Sequence, residues 1–133
     1  MLLLGGWLMA SSAVAREPVL FNRDVRPILS DNCFNCHGPD AAKRKADLRL
    51  DSGAPGQAVV VPGKPSESEL FQRITHADPA ERMPPTDSGR ASTPSDNEIL
   101  RARISQGGKW GKHWAFLPPK RPTIPPAKNS AWP

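Results

Sequence analysis

The sequence predicts a small, mostly α-helical domain of about three helices, and three observations carry that prediction. Apolar residues recur at helical spacing in three stretches, each opened by a capping residue or a proline. Between them lie loops rich in Pro, Gly and Asp, and only residues 45–51 alternate even in part. The third observation is a pentapeptide, Cys33-Phe34-Asn35-Cys36-His37, which holds both cysteines of the 133-residue chain. Large apolar side chains are few, so helices built from them have a thin core unless something else fills it.

Residues 1–15 stand apart from this fold. Leu2-Leu3-Leu4 through Trp7-Leu8-Met9-Ala10 is an apolar run, and Ala13-Val14-Ala15 is a small-x-small cleavage site, so the stretch reads as a signal peptide. The run is shorter than the about twenty residues of a membrane span. No Lys or Arg precedes it, leaving the terminal amine as its only positive charge. No cysteine follows it closely, which argues against a lipid anchor. Its removal leaves 118 residues, one small domain's worth, in a chain expected to be periplasmic or otherwise exported.

The first helix is expected over residues 21–32, with Asn22 or Asp24 as cap, Pro27 near the first turn, and Val25, Ile28 and Leu29 facing inward. It leads directly into the cysteine motif, after which Gly38-Pro39 breaks the chain. Leu48 and Leu50 lie on one side of a short extended segment. Residues 53–65 read as a loop anchored by Val59-Val60-Val61. A second helix opens on a capping box of Ser66 with Glu69 and buries Leu70, Phe71 and Ile74. After an irregular stretch, Thr93 caps a third helix, with Pro94 first and Asp96 completing the box. That helix carries Ile99, Leu100 and Ile104 and ends at Gly107-Gly108. Beyond it, six prolines from Pro118 to Pro133 punctuate a stiff spacer without periodicity. The expected division is therefore a leader at 1–15, a domain built around the cysteine motif at 16–112 and a Pro-rich basic linker at 113–133 to a further domain.

The pentapeptide is what brings haem into this division. Two thiols three positions apart can each add to one vinyl group of a porphyrin, and the adjacent imidazole then lies under the ring to bind its iron. Cys33 and Cys36 are thus the attachment points of one covalent haem c, and His37 its proximal ligand. A thioredoxin-like pair would want a βαβ context that is missing before Cys33. A structural zinc site needs four ligands, and the other histidines, His76 and His113, stand alone. A disulfide across two residues would close a tiny loop and stabilise little. A buried porphyrin would also supply the apolar surface that the thin core lacks.

Iron has a second axial position, for which Met83, His76, His113 or no residue are the candidates. Met83 lies in Glu81-Arg82-Met83-Pro84-Pro85, where two prolines restrict the backbone around the thioether. A methionine between arginine and prolines is a poor core residue, so Met83 is the preferred ligand, and its soft sulfur would raise the potential. His76 becomes the ligand only if Met83 cannot reach, and His113 reads as surface.

The formal net charge of +5 is unevenly placed. Residues 1–70 balance eight basic against eight acidic side chains, whereas seven basic residues and no acid follow Glu98. Such a tail can steer the protein toward an acidic redox partner or an anionic surface, or serve as a solvated linker. Nucleic acid is disfavoured for an exported chain without a recognition fold.

Several motifs taken together resemble a known family. Phe21-Asn22-Arg23-Asp24-Val25-Arg26-Pro27-Ile28-Leu29, Cys33-Phe34-Asn35-Cys36-His37-Gly38, Leu48-Arg49-Leu50-Asp51, Val61-Pro62-Gly63-Lys64-Pro65 and Arg82-Met83-Pro84-Pro85 are similar, in order, to the planctomycete-type cytochrome c domain. The resemblance spans roughly residues 19–110. It implies a class I cytochrome c-like fold, haem on Cys33 and Cys36, His37 as proximal and Met83 as distal ligand. Arg103 departs from the family, which usually has tryptophan there. Family members commonly continue into longer domains, which His113-Trp114-Ala115-Phe116 would introduce. The expected function is one-electron transfer outside the cytoplasm by a domain that is not itself an enzyme. The alternatives are a haem-based sensor with an open sixth position, and the electron-delivery domain of a larger oxidoreductase.

Overall fold

The computed structural model describes residues 17–123; the leader at 1–15 and the last ten residues of the linker lie outside them. Five α-helical segments and no strand occur among the described residues. Three of them fall where helices are expected, and the others are single turns. Phe21–Val25 is a π-helical turn that runs on into α1, Arg26–Asn32. Pro27 sits in the first turn of α1, where its missing N–H costs no helical bond. Neither Asn22 nor Asp24 is the cap. Leu20 takes that position, and Asp24 reaches back to accept its N–H at 2.7 Å. Asn22 instead donates to the Lys112 carbonyl at 2.8 Å, tying this turn to a residue ninety positions further along the chain.

Cys33 interrupts the helix with φ −120°, and α2, Phe34–His37, adds one more turn. Gly38 ends it. A Cβ at Gly38 would lie 2.2 Å from the Phe34 carbonyl oxygen, so only glycine lets the chain turn away there. Gly38→Ala should therefore cost about 1–3 kcal/mol, the usual range for forced overpacking. A thermal melt checks this, and an unchanged Tm would contradict it.

The segment expected as loop contains an extra turn, α3, Gly53–Gln57, whose Gly56 lies against the Trp110 ring. Val60 is buried beside it while Val61 is exposed. The second long-range helix, α4, spans Glu69–Ile74, and its start corrects the expected capping box. Ser66 falls in a 3-10 turn, Pro65–Glu67, and makes no cap. Ser68 stands at the N-cap, but its fully buried hydroxyl accepts from the Val61 N–H at 2.9 Å and donates to the Lys64 carbonyl at 2.8 Å. A buried hydroxyl must be satisfied by the loop that covers it, so it is not free to cap.

The last helix, α5, spans Pro94–Ser105 and follows expectation closely. Thr93 Oγ1 accepts from the Asp96 N–H at 3.1 Å and the Asp96 carboxylate accepts from the Thr93 N–H at 2.8 Å. Gly107 and Gly108, both at positive φ, close its end. Arg103 donates to the carbonyls of Val19 and Lys109. It thus ties the chain before the first helix to the chain after the last.

The core is small. Phe21, Val25, Ile28 and Leu29 meet Leu70 and Ile74 of α4, Leu100 and Ile104 of α5, and Leu50 and Val60 from the loops. No helix among the described residues is long and apolar enough to cross a membrane. Beyond Trp110, a 3-10 turn at Trp114–Phe116 is capped by His113 Nδ1, and Trp114, Phe116 and Leu117 are exposed.

Candidate haem-binding cleft

α1 delivers Cys33, and α2 delivers Cys36 and His37 within one helical turn. The Cys33 N–H is held by the Leu29 carbonyl at 2.8 Å, and the His37 N–H by the Cys33 carbonyl at 2.8 Å. The far end of the motif is held by the following loop. Lys45 donates to the Cys36 carbonyl and Leu50 to the His37 carbonyl, each at 2.8 Å. Trp110 supports that loop in turn, its indole N–H donating to the Leu50 carbonyl at 3.0 Å. In the sequence Trp110 marks only the far limit of the resemblance; the structure makes it a buttress of the motif. Only the fold reveals this, because Leu50 and Trp110 are sixty residues apart.

Cys33, His37 and Met83 line one cleft of about 200 Å³. Leu29, Leu48, Leu50, Val59, Leu70, Ile74 and Leu100 form its apolar walls, with Glu69 and Arg73 as its charged members. The expected proximal and distal residues therefore share a cavity, although they stand forty-six positions apart in the chain. Cys36 does not line it. Its sulfur accepts a long contact from the Asn35 amide at 3.9 Å. A second, more polar cleft of about 380 Å³ lies on another side of Met83 and includes Arg82, Arg90 and Asn97 but none of the motif. His76 is exposed and occupied with Asp78, whose N–H its ring accepts at 3.2 Å. His113 is occupied in capping the turn that follows it.

The groups present suit haem. The Nδ1 atom of His37 is buried without a hydrogen-bond partner among the described residues, so no protein group claims that nitrogen of the imidazole. Burial pushes the Cys33 thiol up to about 12, although Arg90 pulls the other way. Such a thiol is protonated at neutral pH and lacks the acidic character of a thioredoxin-like nucleophile. Both cysteines are free. Among the described residues no three His, Cys, Asp or Glu side chains cluster to hold a bare metal ion. What the cleft offers is one imidazole, one thioether and a thiol in an apolar enclosure.

Residues 33–87 match the Planctomycete cytochrome C family model. The match starts on the first cysteine, takes in Met83, and bears out the resemblance read from the motifs. A cytochrome c family domain implies bound haem c and electron transfer. No curated protein and no solved structure matches the chain. The helix at residues 21–32 and α5 lie outside the matched cytochrome segment, yet Leu29 and Leu100 from them complete the cleft wall.

Proposed function

We propose that this chain is an exported c-type cytochrome domain that carries one covalent haem and passes single electrons to and from a protein partner. The observation that carries this reading is the convergence of Cys33, His37 and Met83 on one apolar cleft. When bound there, haem supplies the reversible one-electron chemistry of its iron. Cys33 and Cys36 would hold the porphyrin covalently, His37 would be the proximal ligand and Met83 the distal one. Leu29, Leu48, Leu50, Leu70 and Leu100 exclude water from that face and lower its dielectric, which disfavours net charge on the iron.

The site supplies no paired acid and base, so we read the domain as a carrier and not as an enzyme. Export is supported by the signal-like residues 1–15. The seven basic residues after Glu98 suit an acidic redox partner, and the exposed Trp114, Phe116 and Leu117 suit a linker at 113–133. The test is covalency. Expressed with a haem-maturation system, the protein should keep its colour through acid–acetone extraction. Complete loss of haem to the solvent would overturn the assignment.

A further inference from the structure

Met83 forms part of the wall of two clefts at once, and its backbone is tied back to the preceding helix. The Met83 N–H donates to the Arg73 carbonyl at 2.9 Å, which brings the chain back to the end of α4. The same residue grips the returning chain with its side chain. Arg73 Nη1 donates to Glu81 Oε2 at 2.5 Å and to the Glu81 carbonyl at 3.4 Å, while its Nε faces Glu69 Oε1 at 3.7 Å. Arg73 therefore closes the loop 74–82 at two points, one main-chain and one side-chain. Inside the loop, the Asp78 carbonyl accepts from Glu81 and Arg82 at 3.2 and 3.1 Å, and its carboxylate accepts from Ala80 at 2.9 Å.

We propose that Arg73, clasped to Glu81, is a positioning residue that sets how firmly Met83 is presented to the cleft. The inference rests on the reading of Met83 as the distal ligand. Arg73 and Glu81 are each about half exposed, so their ion pair adds little to global stability. Its effect is local, on the equilibrium between a seated and a displaced Met83 loop. The distal side of the cleft is thus tuned by a half-exposed, salt-screened pair whose arginine also borders the cleft.

The experiment uses the ferric haem-loaded protein and titrates it with imidazole while following the weak red charge-transfer band of a thioether ligand. Glu81→Ala should tighten imidazole binding roughly two- to fivefold, as expected for loss of one exposed pair, with the melting temperature nearly unchanged. Arg73→Ala should open the site at least as much, since it also removes the Glu69 contact and a side chain of the cleft wall, and Arg73→Lys should restore part of the wild-type behaviour. The double variant should be no more open than Arg73→Ala alone, because the contact that Glu81→Ala removes is already lost with the arginine. Single variants that bind imidazole as wild type does, or effects that multiply in the double variant, overturn the clasp. Met83→Ala serves as the reference. If it leaves the band and imidazole binding unchanged, the ligand assignment itself fails; if it opens the site while Glu81→Ala is silent, only the clasp fails.

Discussion

Met83→Ala should abolish the red charge-transfer band, open the iron to added carbon monoxide, and lower the midpoint potential by about a tenth of a volt or more, within the roughly 0.8 V that axial ligation spans. The direction follows from the donor. A thioether is soft and neutral and favours the ferrous ion, so its loss stabilises the ferric state. Met83 lines the cleft with His37, whereas His76 is exposed and bonded to Asp78, so His76→Ala should change none of the three. Spectroelectrochemistry of the two variants beside the wild type decides the matter. If losing His76 opens the site and losing Met83 does nothing, His76 is the distal ligand and the potential is correspondingly low. If neither matters and the native protein already binds carbon monoxide readily, the sixth position is open and the domain is a sensor.

The haem-free chain should lack a cooperative thermal transition and much of its helicity. Ten apolar side chains are buried among the described residues, and of all side chains there only Leu29 and Ser68 are fully enclosed. A core of that size stabilises a domain marginally at best. Without the porphyrin, the apolar walls of the cleft stay in contact with water. Haem that binds only the folded state adds its binding energy to folding. Far-ultraviolet circular dichroism of protein made without haem maturation measures this. Native-like helicity with a sharp melt would show that the polypeptide folds by itself.

The elements most legible in the sequence are those with local causes. The capping box of Thr93 and Asp96, the glycine pair closing α5 and the proline in the first turn of α1 depend on residues a few positions apart, so spacing alone reveals them. The start of α4 was misread for the complementary reason. Ser66 has the right spacing to Glu69, but the neighbouring Ser68 is buried beneath the chain at 61–64 and shifts the start of the helix. Burial is not written in local spacing.

The candidate site divides along the same line. By itself the sequence determined the Cys33–His37 pentapeptide and the reading that favours His37 as proximal and Met83 as distal ligand over two other histidines, because each rests on residue chemistry and its immediate neighbours. Only the tertiary structure decided that Met83 and His37 face one cleft, that Leu29 and Leu100 close it, and that Trp110 and Arg73 hold its two sides. Those relations join residues from ten to about seventy positions apart. They come from how α1, α4 and α5 bury their apolar faces together, and no local pattern encodes which distant residues that burial brings into contact.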